Sequence, residues 1–105
     1  MKLRHPPTAI FTYSDLLAIG AMRAAQDLGI SIPSDLSIIG FDDISLASYT
    51  NPRLTTIHQD KQEIGELAVK QLLKRIQSPE LPAERILLPT QLVIRESTAP
   101  ARSDQ

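Results

Sequence analysis

The first third of the chain alternates between short apolar runs and a segment with helical periodicity. Residues 8–13 are rich in β-forming side chains and follow two prolines, which predicts a buried strand entered from extended backbone. Asp15 then stands where a helix N-cap is expected, and Gly29 stands at the opposite end. Between them the pattern predicts a helix whose core face carries Leu17, Ala21, Ala24 and Leu28.

Two further apolar runs follow this helix. Residues 36–41 predict a second strand, which stops at the pair Asp42-Asp43. Strand, helix and strand at this spacing predict a βαβ unit, whose two strands run parallel. After a polar loop containing Asn51-Pro52, residues 54–57 predict a third short strand.

The second half of the chain is dominated by one amphipathic segment. Residues 62–76 place apolar and charged side chains on opposite faces of a predicted helix. The apolar face comprises Ile64, Leu67, Ala68, Leu72 and Ile76. Prolines end this helix, and residues 85–88 and 91–95 predict two short strands separated by Pro89. The fold class predicted from these elements is α/β.

Composition narrows the possible functions. With 105 residues, 11 Lys and Arg against 12 Asp and Glu, and no strongly basic segment, the chain is a modest globular protein that does not bind nucleic acid by itself. The absence of Cys excludes disulfides and thiolate chemistry. No apolar run is long enough to span a membrane, and the first residues lack the hydrophobic core of a signal peptide, so we expect a cytoplasmic protein without a membrane partner.

Three polar residues follow the three predicted parallel strands, namely Ser14, Asp42 and Gln59. Ligands of open parallel sheets bind beyond the carboxyl ends of the strands, so these side chains are candidates for one ligand site. A carboxylate accepts two O–H or N–H donors, which suits a polyhydroxylated or heterocyclic ligand. The alternative is that the acidic and hydroxyl side chains only cap and turn the chain, which is the role we assign to Asp15.

Two enzymatic alternatives have weaker support. Ser14, His58 and Asp42 include the residue types of a hydrolytic triad, but no nucleophile elbow surrounds the serine. Asp42-Asp43 could instead form part of a Mg²⁺-dependent phosphoacceptor, for which Lys61 is the only nearby lysine. The histidines lack metal-site spacing and no phosphate-binding glycine loop is present, so we predict no catalytic residue, metal or cofactor.

The first predicted helix is apolar on more than one side. Ile19 and Met22 lie outside its predicted core face, and small residues around them allow close backbone approach. Such a helix is unfavourable in a solvated monomer. Either other parts of the same chain cover this face, or it is a subunit interface.

Five blocks of this sequence, in this order, resemble the C-terminal part of LacI/GalR-type transcriptional regulators. The blocks are residues 7–15, 18–22, 32–43, 51–59 and 92–97. The resemblance implies a type I periplasmic-binding-protein-like fold, which is a three-layer parallel-sheet architecture with two subdomains joined by three crossings. A sugar or nucleobase-like effector would bind in the cleft, and operator DNA would bind only through an N-terminal headpiece that these residues do not include.

The resemblance also implies a division of the chain. Residues 1–60 would belong to the C-terminal subdomain, residues 61–89 to the N-terminal subdomain, and residues 90–105 to a strand returning to the C-terminal subdomain, followed by a tail. The runner-up is a fragment of a periplasmic sugar-binding protein of an ABC transporter, which shares this fold.

Individual residues take roles from the same resemblance. Asp42 occupies the position of the effector-binding aspartate, Gln59 that of a crossing-strand glutamine, and Ser14 a position where sugar binders often have asparagine. Ile19 and Tyr49 resemble dimer-interface positions, to which the helix pattern adds Met22. We therefore expect a homodimer, or a fragment with unusual apolar exposure.

Overall fold

The computed structural model describes residues 4–103, which form two compact units. Unit 1 comprises Met1–His58 and Gln91–Gln105, and unit 2 comprises Gln59–Thr90. Unit 1 is therefore built from two stretches of chain that unit 2 separates in sequence. The assignment of these units to the two subdomains of an effector-binding domain stays a prediction.

Unit 1 contains a short sheet and one long helix. Its elements are β1 (Ala9–Phe11), α1 (Asp15–Asp27), β2 (Ser37–Ile39), a 3₁₀ helix (Ser45–Ser48), β3 (Thr56–His58) and β4 (Gln91–Val93). β1 pairs with β2 in parallel, with Ile10 opposite Ile38. Parallel bridges from Ile39 to Thr55 and from Asp42 to His58 join β2 to β3, whereas β4 pairs antiparallel with β3. The predicted α/β fold with parallel strands is thus confirmed.

Helix α1 begins at a serine cap. Ser14 is the N-cap, because its hydroxyl accepts the Leu17 amide at 3.3 Å, so the prediction of Asp15 as the cap was wrong by one residue. Asp15 is instead the first helical residue and is 1% exposed. The error arises because Ser and Asp are equally good caps, and only the tertiary partners of Asp15 distinguish them.

The core face of α1 also differs from the predicted one. Ala18, Met22 and Ala25 are buried, while Leu17 and Leu28 are 58% and 73% exposed. The sheet covers the stripe that begins at Asp15 and continues through these three residues, and it leaves the stripe with the two leucines at its ends exposed. Met22 is 3% exposed and belongs to the hydrophobic core, which corrects its assignment to a dimer-interface face.

The core of unit 1 is small and contiguous. It joins one face of α1 to β2 and to the segment around the 3₁₀ helix. Its buried members are Ala18, Met22, Leu36, Ile38, Ala47 and Leu54. Ile10 of β1 packs against this core, which therefore joins α1 to both strands of the parallel pair.

Unit 2 consists of α2 (Lys61–Gln77) and an extended segment that returns along it. Asp60 caps α2 by accepting the Glu63 amide at 3.0 Å. Lys74 pairs with Glu84 at 3.1 Å, which fastens the returning segment to the helix. The strand predicted at residues 85–88 was wrong, because unit 2 offers this segment a helix but no second strand to pair with.

Helix α2 has no buried residue. Its apolar side chains Val69, Leu72, Leu73 and Ile76 are each more than half exposed, which agrees with the apolar exposure expected for this chain. Among residues 4–103, neither α1 nor α2 is long and apolar enough to cross a membrane.

Candidate functional site

The chain turns sharply where β2 ends. Asp42 and Asp43 have φ angles of 115° and 55°, both in the left-handed region that side chains other than glycine rarely occupy. Each such residue costs about 1–3 kcal/mol and persists only where its surroundings fix it. The pair of acidic residues therefore marks a backbone conformation that the rest of unit 1 must hold.

Three backbone amides anchor this turn. The Asp42 amide donates to the Ile57 carbonyl at 2.8 Å, and the Asp43 amide donates to the Thr56 hydroxyl at 3.3 Å. The next amide, of Ile44, donates to the Asp15 carboxylate at 2.8 Å. Each residue of the turn is thus tied to a segment distant in sequence.

The anchors converge on the buried Asp15 side chain. One carboxylate oxygen accepts the Thr56 hydroxyl at 2.6 Å, and the other accepts the Ile44 amide. Because Thr56 also accepts the Asp43 amide, the carboxylate orients the hydroxyl that receives the turn. Asp15 therefore links the start of α1, the turn after β2, and β3.

The Asp43 side chain lies between two basic groups. Arg95 donates to one carboxylate oxygen at 2.8 Å, and His58 Nδ1 lies 3.0 Å from the other. The same guanidinium donates to the Leu54 carbonyl at 2.9 Å. Burial raises the pKa of Asp43, but hydrogen bonds and charges from Arg95 and then His58 lower it by more, so the net pKa is below its ordinary value of 3.8.

The lowered pKa predicts a specific acid sensitivity. A carboxyl group with a depressed folded-state pKa adds stability that is complete above its unfolded-state pKa and is lost as pH falls through the folded-state value. We expect the free energy of unfolding of the native chain to exceed that of Asp43→Asn by a constant amount above about pH 5, with the difference shrinking at lower pH. Urea unfolding at a series of pH values measures it.

A double-mutant cycle provides the control for this pH dependence. In an Arg95→Gln background the main charge partner is gone, so Asp43→Asn should change the unfolding free energy less, and with a weaker dependence on pH. The prediction would be contradicted if the difference in unfolding free energy between the native and Asp43→Asn chains stayed constant down to the pH of acid unfolding.

The structure brings two of the candidate ligand residues to neighbouring strand ends. The Asp15 amide donates to the Phe41 carbonyl at 3.0 Å. This hydrogen bond brings the neighbouring residues Ser14 and Asp42 close to each other. Asp42 in turn forms a parallel bridge with His58. The Ser14 hydroxyl is committed to the helix cap, so its second lone pair and its proton are what remain for a ligand.

Gln59 is the first residue of unit 2, directly after β3. There it lines a groove of ≈ 390 Å³ between α2 and the extended segment. The other lining residues are Ile64, Leu67, Ala68, Gln71, Glu84, Ile86 and Leu88. The groove is mostly apolar, with two amides and one carboxylate on its walls.

Comparison with known proteins identifies the family of this arrangement. Residues 1–98 match the family described as "Periplasmic binding protein-like domain". The chain belongs to this family. It is 50% identical over 91 residues to the ribose operon repressor of Haemophilus influenzae, covering 87% of this chain but only 27% of that repressor.

Solved structures of LacI-type regulators show the same fold. The LacI family regulator from Enterococcus faecium with bound ribose superposes with a TM-score of 0.81 at 44% identity, covering 93% of this chain and 37% of that one. The lac repressor dimer bound to operator and the anti-inducer ONPF gives a TM-score of 0.79 at 39% identity, covering 88% and 32%. The chain thus corresponds to part of the effector-binding domain of a LacI-type regulator, and spans about a third of these structures.

The two remaining dimer candidates lie at different depths in this periplasmic-binding-protein-like domain. Ile19 is half-buried against the core of unit 1, whereas Tyr49 is 80% exposed just after the 3₁₀ helix. Their role in a dimer stays a prediction, as do the ligand roles of Ser14, Asp42 and Gln59.

The triad alternative finds no support in this geometry. The triad would require Asp42, but His58 Nδ1 contacts Asp43 instead. The Ser14 hydroxyl accepts the Leu17 amide at the start of α1. Within residues 4–103, no three His, Cys, Asp or Glu side chains are grouped closely enough to hold a metal ion.

Sequence reasoning missed the residues that hold the turn. Arg95 lies 52 positions from Asp43, and Thr56 lies 41 positions from Asp15. Nothing in the local pattern pairs residues so far apart. The one usable signal was the Asp42-Asp43 pair at a strand end, where two adjacent carboxylates require something to balance their charge.

Proposed function

We propose that this chain is the effector-binding and dimerisation portion of a LacI-type transcriptional repressor, and that its effector is a sugar, with D-ribose as the first candidate. The observation that carries the proposal is the position of Asp42 on a fixed turn at the shared end of three parallel strands. A ribose operon repressor as a 50% identical relative, and a ribose-bound structure at 44% identity, support the choice of sugar.

The chemistry of the strand ends suits a polyhydroxylated ligand. An ionised aspartate accepts two sugar hydroxyls in charge-assisted hydrogen bonds, which are stronger than neutral ones. The Ser14 hydroxyl adds a small group that both donates and accepts. Gln59, the third candidate ligand residue, presents its amide to the groove of unit 2.

In the whole regulator, the effector would act by population shift. An effector that prefers one arrangement of the subdomains and an operator that prefers the other would each bias the same equilibrium, so each weakens or strengthens binding of the other. Operator DNA would be bound by a headpiece outside these residues, with two protomers joined through surfaces that include Ile19 and Tyr49. The whole regulator would act in the cytoplasm.

The ligand role of Asp42 predicts a measurable loss of sugar binding. We expect D-ribose titrated into the ¹⁵N-labelled chain to cause saturable NMR shifts at the amides of Asp42 and its strand-end neighbours. Asp42→Asn should raise the dissociation constant on the order of tenfold or more, because charge-assisted bonds are replaced by weaker neutral ones.

The matched control is Asp27→Asn. Asp27 is an exposed carboxylate on α1 that pairs with Arg23 and lies at the other end of the helix, so its substitution should leave ribose binding unchanged. The absence of saturable shifts would refute ribose as the effector. Equal weakening by both substitutions would show that Asp42 acts only through net charge.

A further inference from the structure

Asp43, the neighbour of Asp42 in the turn, is contacted by a side chain that is distant in sequence, Arg95. Asp42 and Asp43 both have positive φ, and the backbone between them decides where the Asp42 side chain points. The Asp43 carboxylate is held by Arg95 on one oxygen and by His58 on the other. The side chain of the second turn residue is thus held by two groups from other segments of unit 1.

Arg95 is itself held in several directions. Its backbone amide donates to the Thr55 hydroxyl at 2.9 Å, and its guanidinium donates both to the Leu54 carbonyl and to Asp43. The side chains of Arg95 and Asp43 are 19% and 17% exposed, so water competes little for this pair. A planar fork that reaches a carbonyl and a carboxylate at once fixes geometry as well as charge.

We propose that Arg95 is a positioning residue for effector binding, which acts through Asp43 to hold Asp42 in its left-handed conformation. This inference deepens the proposed function and rests on it for the ligand, but the backbone effect stands independently. Arg95 touches no effector in this scheme. It determines whether the Asp42 carboxylate is presented in a single direction, which a binding site requires of its supporting residues.

The test compares Arg95→Gln and Arg95→Lys with the native chain. Two quantities are measured: the φ angles at Asp42 and Asp43 by NMR, and the dissociation constant for D-ribose. In Arg95→Gln we expect both φ angles to leave the left-handed region and ribose binding to weaken on the order of tenfold. Arg95→Lys keeps the positive charge but lacks the planar guanidinium, so the φ angles and the ribose affinity should lie between those of the native chain and those of Arg95→Gln.

Ser97→Ala separates positioning from general stability. Ser97 is fully buried after β4, and its hydroxyl accepts the Thr55 amide and donates to the Ile38 carbonyl. Neither of these two hydrogen bonds is made to Asp42 or Asp43. Its substitution should lower the melting temperature while leaving the φ angles and ribose affinity unchanged, at a temperature where all variants are folded. Equal loss of affinity in Ser97→Ala and Arg95→Gln would overturn the proposal.

The two proposals fail in different ways. If the native chain binds no ribose, the sugar assignment is refuted, and the φ measurement alone decides the role of Arg95. Left-handed φ angles retained in Arg95→Gln would overturn the positioning role, whatever the affinity. A change of φ in Arg95→Gln that Ser97→Ala does not share supports it.

Discussion

Replacing Asp15 with alanine should destabilise the chain by about 3–5 kcal/mol. Asp15 is 1% exposed and its carboxylate accepts hydrogen bonds from the Thr56 hydroxyl and the Ile44 amide, so its removal deprives a buried hydroxyl and a partly buried amide of this acceptor. Each unsatisfied buried donor costs about 1–3 kcal/mol, and loss of a negative charge at the start of α1 adds to this. Urea unfolding monitored by circular dichroism measures the change.

Asp27→Ala is the control for this prediction. Asp27 lies on the same helix, but its side chain is 63% exposed and pairs with the exposed Arg23. Its substitution should change the free energy of unfolding by less than about 1 kcal/mol. Similar effects of the two substitutions would mean that the buried hydrogen bonds of Asp15 contribute little.

Gly40→Ala should lower the free energy of unfolding nearly as much as Asp15→Ala, because the added methyl group would clash with its neighbours. A Cβ atom at this position would lie 2.9 Å from a methyl group of Leu54 and would overlap the Asp15 carboxylate oxygen. Neither neighbour can withdraw, because Leu54 belongs to the core and Asp15 is held by its hydrogen bonds. We expect a loss of about 2–4 kcal/mol, measured by the same unfolding experiment.

Gly20→Ala, in contrast to Gly40→Ala, should stabilise the chain. Gly20 lies within α1, and a Cβ there would meet no atom within 4 Å. Alanine should therefore stabilise the helix by about 0.5–1 kcal/mol. Destabilisation by both glycine substitutions, or by neither, would contradict the assignment of Gly40 to a close approach between α1 and β2.

The sequence predicted elements where one local pattern decides the outcome. The apolar run at residues 36–41 contains β2, and the amphipathic pattern at residues 62–76 coincides with α2 to within one residue at each end. The predicted core face of α1 was wrong because alanines occur on two neighbouring faces of the helix, and the prediction chose the face that also carries Leu17 and Leu28. The tertiary fold decides which side is buried, and the close approach of Gly40 to Asp15 lies on the buried side.

The candidate site divides in the same way. The parallel strands, and with them the position of Asp42 after β2, could be predicted, because parallel topology follows from the order of strands and helix. The positive φ angles and the Arg95 contact could not, because they depend on segments brought together only by the tertiary fold. Residues 85–88 show the converse, since a β-like composition forms no strand where no neighbouring strand is present to pair with.

The discontinuity of unit 1 limits how this protein can be dissected. A truncated product ending at His58 would retain both acidic residues of the turn, yet it would lack β4 and the arginine that follows it. Excising unit 2 and rejoining its flanks would keep that arginine and remove the groove instead. Expression trials aimed at a minimal binding fragment should therefore be designed around the return segment, not around the first 58 residues alone.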